Sequence, residues 1–565
     1  LQVHGIRDFN GQNRILKARG GVSSMRYFRK REAALFTLSF LFFFAALMSA
    51  SGAAVLTVGP GETYTVIQDA LDAAAPGDTI QVRAGTYVED IRISTNNLAL
   101  VSADGAGLAV IEGAGTRDGV IQVDTDLGVT VDGFRFLPGP TGIWGIYHNG
   151  GAPVTDITIT GNIFEDFSSR FDSAGFRGVW FYMTGADFTF TGNTMTRCET
   201  GVYVSGFEGC TIRINGNSAE NCINGLRVAG LDFNARVTDA EIIGNRVTRA
   251  SLSGFGETGI FIRSPEDTTR ISDNTVRGPY MHGISIDNLG DRGREPAVVF
   301  VERNFISGSE YGLYFDDLVY DIPAEVTVRF NVVNDVDYGI YTRNFSYASH
   351  PLTSVLFRGN SIEDASLYGF FNVSTELVDA GENWWGDASG PFDDKTLPGT
   401  PDYNNPAGTG SRVSEYVGYD PWQTEQPGPA RPVLLSPTDG STGVSLTPTL
   451  ETEPFFSEMP LFHAATMWQV GTAADLSSGM VVDSASMTQL TSFAVPPGGL
   501  APGTRYYWRV RFADSGEVLS EWSEIWSFTT GGSSGGGGGG GCSAGSFTNG
   551  ILLLLLPLML VNLRK

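Results

Sequence analysis

Between Gly312 and Asn331 the chain reads GLYFDDLVYDIPAEVTVRFN, and this stretch decides the fold. It holds two short alternating runs: GLYF, opened by Gly312, and VTVRFN, closed by Asn331. Apolar residues at every second position are the mark of a strand with one buried face. The pair of runs recurs from about residue 119 to 383. The closing run reads ITITGN to Asn162, FTFTGN to Asn193, IRINGN to Asn217, AEIIGN to Asn245, TRISDN to Asn274, VVFVERN to Asn304, VLFRGN to Asn360 and LVDAGEN to Asn383. The opening run reads GVWFY from Gly178, GVYV from Gly201, GLRV from Gly225, GIFI from Gly259, GISI from Gly283, GIYT from Gly339 and GFFN from Gly369.

The Asn residues recur every 23 to 31 positions. A unit of that size cannot bury its apolar face alone, so the units must stack into one continuous core, with parallel strands about 4.8 Å apart from coil to coil. The predicted fold is all-β, a single-stranded parallel β-helix over residues 55–425. A leucine-rich repeat is excluded, because the alternating residues are Ile, Val and Phe and no helical period intervenes. The Asn column reads as structural, since Asn tolerates turn conformations and stacked amides can bond to one another.

The whole chain has 565 residues, 37 Lys plus Arg against 62 Asp plus Glu, a net charge of -25 and only 4 Cys. That balance leaves no continuous basic surface and argues against nucleic acid as a main partner. Gly reaches 72 residues, supplied by the repeat and by a Gly-rich tail.

At the head of the solenoid stands Tyr64-Thr65-Val66-Ile67-Gln68-Asp69-Ala70-Leu71, followed by Pro76-Gly77-Asp78 and Arg83-Ala84-Gly85-Thr86-Tyr87. Ile67 and Leu71 share one helical face. At its foot stand Asn383-Trp384-Trp385-Gly386-Asp387 and Tyr419-Asp420-Pro421-Trp422. With the repeat, these segments resemble the right-handed parallel β-helix superfamily of pectate lyases, polygalacturonases and NosD-like proteins. The resemblance implies a right-handed solenoid with an N-terminal capping helix. It carries over no catalytic set: there is no Gly-His-Gly with a downstream Arg-Ile-Lys, no Asn-Thr-Asp and no Asp-Pro-His. A NosD-type copper role finds no support in five unclustered His residues.

After a Pro-rich linker at 426–430, residues 431–530 carry short alternating strands bounded by Pro and Gly, which indicates a small β-sandwich. With Tyr506-Tyr507-Trp508-Arg509-Val510 and Trp522-Ser523-Glu524-Ile525-Trp526, it resembles a fibronectin type III domain.

The two ends read as addresses. Residues 1–24 precede the first Met and read as an upstream extension. Residues 25–54, basic and then apolar from Leu35 to Leu47, read as a signal peptide with cleavage near Ala53. Residues 531–565 hold a Gly-rich spacer, Cys542-Ser543-Ala544-Gly545, an apolar run and Arg564-Lys565. This tail resembles a Synerg-CTERM sorting signal. The resemblance implies a membrane-bound sorting protease as a partner, attachment through Cys542, and a place outside a Gram-negative-type cell, at its surface or secreted.

The outer face of the Gly-led strands is where side chains can meet a ligand. The second position after each Gly should face solvent. It holds Tyr147, Trp180, Tyr203, Arg227, Phe261, Ser285, Tyr314, Tyr341 and Phe371. Such an aromatic stripe suits stacking against a linear polysaccharide or cell-envelope glycan. The fourth position holds Arg263, Asp287, Asp316 and Arg343, with Asp317 adjacent. Asp287, Asp316 and Asp317 are candidate catalytic carboxylates for glycoside cleavage, and Arg263 and Arg343 candidate substrate contacts. The other readings are Ca²⁺ ligands at Asp287 and Asp316 and a ladder of surface ion pairs. Otherwise no cofactor is expected. Cys198 and Cys222 lie three residues before successive repeat glycines, so a disulfide or a stacked thiol pair is expected. The sequence thus predicts a surface β-helix protein that binds, and in one version processes, an extended polysaccharide. Its rival is a non-catalytic adhesin or rigid stalk.

Overall fold

The computed structural model describes residues 52–532 except positions 126, 141–143, 149–154, 168–176, 184–186, 207–209, 230–238, 251–255, 266, 290–296, 319–324, 344–353 and 395–403. The leader through Ser51 and the tail from 533, Cys542 included, lie outside the described residues. Contacts divide the chain into two compact units, with the boundary between Thr424 and Glu425.

The first unit is a parallel β-solenoid, as expected, and it has three faces where the pair of runs in the sequence showed two. Each full coil gives one strand to each of three parallel sheets; the second and third have eleven strands each, and the first, which continues beyond them at both ends, has fourteen. In the coil around Asn331, Glu325–Arg329 lies in the first sheet, Val332–Asn334 in the second and Val336–Thr342 in the third. Every interior strand pairs in parallel with the equivalent strand of the coils before and after. Inward residues therefore stack on themselves. Ile284, Leu313, Ile340 and Phe370 share one register column in the third sheet, each at most 1% exposed. Each such side chain contributes about 1.5–3 kcal/mol by leaving water.

The repeat glycine is required by close approach. A Cβ on Gly283 would stand 2.7 Å from the carbonyl oxygen of Gly312 and 2.4 Å from Cγ2 of Ile306. At the other corner the residue before the Asn must turn left-handed. Gly161 does so at φ +62°, and Asp273, Arg303 and Phe330 adopt the same conformation in coils without that glycine.

The Asn column forms a continuous buried ladder from Asn162 to Asn383. Nδ2 of Asn274 donates to Oδ1 of Asn304 (2.9 Å) and to the carbonyl of Ile242 (2.7 Å). Its backbone N–H donates to the same Oδ1 (3.1 Å). The pattern repeats at Asn193, Asn217, Asn245, Asn304, Asn331 and Asn360. Each amide thus joins two coils at a turn where the sheet hydrogen bonds pause.

Helix α1 (Ile67–Ala73) closes the N-terminal end with Ile67, Ala70 and Leu71 buried. The Glu89 carboxylate accepts from the N–H groups of Ile67 and Gln68 at 2.9 and 3.0 Å. At the other end Trp385 is fully buried, and its ring lies 3.3 Å from where a Cβ of Gly369 would stand. Cys198 and Cys222 are free buried thiols, so the disulfide alternative is not formed; each Sγ points at carbonyls of its own and the preceding coil. Burial, and the neighbouring Cys222 thiol, push the Cys198 pKa up.

The second unit is a sandwich of two sheets. One contains Leu434–Ser436, Thr449–Thr452 and Ser492–Ala494. The other contains Ser441–Val444, Trp526–Thr530, Arg505–Asp514, His463–Gly471 and Met480–Ser486. Trp468, Trp508 and Phe528 fill the space between them. His463 packs against Phe455 and Phe512 and meets Thr466 Oγ1 at 2.7 Å, a structural setting.

Candidate functional site

The third sheet carries the aromatic residues in the register expected. Tyr147, Trp180, Tyr203, Arg227, Phe261, Ser285, Tyr314, Tyr341 and Phe371 occupy one column, strand by strand. They do not form one open stripe. Tyr147 is 3% exposed, its hydroxyl bonded to Gln122 Oε1 and its ring 4.8 Å from Trp144. Phe261 is buried with the Arg227 guanidinium 4.5 Å from its ring centroid, and Ser285 is buried between Phe261 and Tyr314. Tyr203 also lies under Arg227, at 5.7 Å. The Trp180 side chain lies outside those described. Arginine and serine break the column, so the expected platform contracts to the C-terminal coils.

There it is wider than the expected stripe. The residue before each repeat Gly forms a second column, His282, Tyr311, Tyr338 and Tyr368. Rings within a column run nearly parallel. Tyr311 and Tyr338 are 5.0 Å apart at 8°, Tyr338 and Tyr368 6.1 Å at 6°, Tyr314 and Tyr341 5.3 Å at 11°, and Tyr341 and Phe371 5.5 Å at 19°. Rings in different columns meet edge-on. Tyr338 and Tyr341 stand at 88° and 5.5 Å, Tyr311 and Tyr341 at 83° and 5.0 Å. The result is a herringbone strip four coils long. Offset and edge-to-face pairs are the favoured aromatic geometries, worth about 0.5–1.5 kcal/mol each beyond burial. The rings are half-buried by one another, so no ring stands alone as a stacking plate.

Two features tune the strip. Burial, aided by Glu310 beside Tyr311 and by Asp316 beside Tyr314, pushes both phenols to about 12 and keeps their protons on. Tyr314 Oη donates to Asp316 Oδ2 at 3.3 Å. The His282 ring leans on Tyr314 at 4.2 Å, and burial lowers its pKa to about 4. It is therefore neutral at neutral pH. Unfolded His titrates near 6.5, so as pH falls from about 6.5 to 4 the unfolded chain takes up the proton first and the fold loses stability. The loss should reach about 3 kcal/mol at most, and His282→Phe should abolish it. Urea melts of both proteins at pH 7.5 and pH 4.5 measure this; equal pH dependence in the two would refute it.

The charged column pairs internally. Arg263 donates to Asp287 Oδ2 at 2.8 Å, and Arg343 Nε lies 3.3 Å from Asp316 Oδ1. Asp287 and Asp316 sit opposite one another in register. The Asp317 side chain lies outside those described. Each carboxylate is thus turned to an arginine of a neighbouring coil rather than presented alone. No group of three or more His, Cys, Asp or Glu suited to a metal forms among the described residues.

The second column was legible in the sequence as Tyr-Gly in three successive coils. A reading confined to the positions after the glycine passes over it.

A family model described as a right handed beta helix region matches residues 118–293. A second, described as Rha78A-like, N-terminal immunoglobulin domain, matches residues 463–534, so the sandwich is immunoglobulin-like rather than identified with fibronectin type III. No curated protein matches the chain. Among solved structures, an α-L-rhamnosidase from Dictyoglumus thermophilum is similar at 22% identity and TM-score 0.17, over 18% of this chain and 12% of that one. The chain thus spans only a small fraction of that enzyme's length. A PL6 alginate lyase in complex with a trisaccharide is similar at 13% identity and TM-score 0.29, over 68% and 91% of the two chains. The tailspike protein gp49 of Acinetobacter baumannii bacteriophage Fri1, a capsular polysaccharide depolymerase, is similar at 9% identity and TM-score 0.27, over 85% and 80%.

Proposed function

We propose that this chain is an exported, surface-attached β-helix protein that binds an extended glycan along the third sheet, across the strip from His282 to Phe371. The herringbone strip carries the reading. Seven aromatic rings, partly exposed, five of them tyrosines whose phenol hydroxyls recur at coil spacing, offer an apolar floor with regular hydrogen-bonding groups, which suits a polymer of sugar rings. The leader, the sorting tail and attachment through Cys542 complete the proposal as expectations from sequence.

Binding without cleavage is favoured, because Asp287 and Asp316 are each engaged by an arginine. Hydrolysis or elimination at Asp287, Asp316 and Asp317, with or without Ca²⁺, is the second reading. A glycan array read together with a reducing-sugar and unsaturated-product assay separates them. Asp287→Asn and Asp316→Asn are expected to change glycan affinity by no more than about threefold, the scale of a partly exposed ion pair. Product release by the parent protein, lost in these variants, would replace binding by catalysis. No binding to any glycan would favour an adhesin or stalk.

A further inference from the structure

The strip carries a charge as well as a shape. Its far end closes where the Arg412 segment takes the place of a further strand, the Gly369 N–H donating to the Arg412 carbonyl at 2.6 Å. The arginines that border the strip among the described residues are each answered by a carboxylate: Arg263 by Asp287 at 2.8 Å, Arg343 by Asp316 at 3.3 Å, and Arg412, 5.1 Å from the Tyr368 ring centroid, by Asp394 at 2.7 Å. Carboxylates are left over. Glu310 stands just before Tyr311 and Asp337 just before Tyr338, on neighbouring coils, with the Asp337 N–H donating to the Glu310 carbonyl at 3.1 Å. The Tyr311 phenol donates to Glu310 and the Ser366 hydroxyl to Asp337, and neither carboxylate meets an arginine or lysine among the described residues. Asp337 is exposed and Glu310 partly exposed, so both can be reached from solvent. Asp335 and Asp364, exposed at the turns that lead into the last two strands, have the same sign. Lysine scarcely occurs: between residues 55 and 530 there is only Lys395. The segments 290–296, 319–324 and 344–353, which follow strands of this sheet in the sequence, bring Arg292 and Arg294 against Asp291, Glu295 and Asp321.

We propose that the strip selects uncharged glycans and rejects polymers that carry a carboxylate or sulfate on their sugars, with Glu310 and Asp337 as the residues that set this choice. The inference rests on the reading of the strip as a glycan surface and names the class of glycan it takes. A polymer laid over Tyr311 and Tyr338 passes beside both carboxylates. A sugar hydroxyl there finds a strong acceptor, since a hydrogen bond to an ionised group is about twice as strong as a neutral one, and the phenols of the floor both donate and accept. An anionic sugar meets repulsion instead. Two like charges about 6 Å apart in water weaken binding by about threefold, so the two carboxylates together amount to about tenfold. The bordering arginines are already engaged and offset little of this. The net charge of -25 repels a polyanion on approach as well.

The test is affinity of the full chain at pH 7.5 for matched pairs of polymers: a glucan, a mannan, a galactan and a poly-N-acetylglucosamine, each beside its C6-oxidised or sulfated derivative. In low salt the neutral member of the best-bound pair should be held about tenfold more tightly than its anionic partner. The gap should narrow in 0.5 M salt, where screening acts within a few ångströms. Glu310→Gln combined with Asp337→Asn should shrink the gap to about threefold or less, because the amides still accept hydrogen bonds but carry no charge. The ratio within a pair is read in each protein, so a general loss of affinity does not mimic the result. An anionic polymer bound as tightly as its neutral partner in low salt would overturn the selectivity, and so would a gap that the charge variant leaves unchanged. If that binding is nevertheless lost when Tyr338 and Tyr341 become alanine, the strip stands and only its selectivity falls. If no polymer of any pair binds, the strip reading falls and takes the selectivity with it.

Discussion

Replacing Tyr338 and Tyr341 together by alanine is expected to lower glycan affinity on the order of 100-fold. Tyr338 touches rings on all sides, with Tyr311 and Tyr368 in its own column and Tyr341 and Phe371 across from it. Removing both rings deletes the middle of the floor and lets their neighbours tilt into the gap. Central aromatic anchors lose about 1–2 kcal/mol or more each on truncation, and every 1.4 kcal/mol is tenfold in affinity. Tyr341→Phe, which keeps the ring and removes only the hydroxyl, should lose tenfold or less. Affinity by calorimetry on the best array glycan checks both. The double variant also loses ring packing, so its melting temperature must be measured alongside. Affinity within about twofold of the parent, in a folded double variant, would place the glycan site elsewhere.

Asn274→Ala is expected to destabilise the solenoid by about 3–5 kcal/mol. The change removes the acceptor for both the backbone N–H and the Nδ2 of Asn245, each held at 2.9 Å, and the donor to the Ile242 carbonyl. Asn245 Nδ2 keeps its bond to Ile214, but the Asn245 N–H is left buried without its acceptor and the Ile242 carbonyl loses a donor. Each such group costs about 1–3 kcal/mol. Because solenoid coils depend on their neighbours, the effect should appear as lost cooperativity as well as a lower midpoint in urea. Asn274→Asp would not rescue it: the carboxylate keeps an acceptor but buries a charge and drops both side-chain donations. A cost under about 1 kcal/mol would show that the ladder is incidental.

Much of this was legible before any coordinates. Alternation fixed which residues of each Gly-led strand point inward, and the Asn spacing fixed the coil length, because a stacked solenoid repeats one local solution and the sequence repeats with it. The helix of Ile67 and Leu71 and the cap of Trp384 and Trp385 were readable from single faces and local motifs. The site was less legible, because its shape depends on contacts between coils. Nothing in Tyr147 itself says that Trp144 will pack on it, and nothing in His282 says that it will lean on Tyr314 in the next coil. The pairing of Asp287 with Arg263 and Asp316 with Arg343 was among the readings of the charged column, and geometry selects it. The immunoglobulin-like and fibronectin type III sandwiches share short alternating strands and Trp-rich cores, so strand pattern alone did not separate them.

Helix α1 and the Trp385 layer have a consequence for how copies of this protein coexist at high concentration. A stack of parallel strands is the geometry of a fibril, in which each end is a template for the next chain. Here a helix lies across the first coil, and the final strand of the third sheet already bonds to the Arg412 segment of its own chain. The repeat has a first coil and a last one, so growth by addition of another molecule is blocked, and the solenoid can change its length only when its gene gains or loses a whole coil.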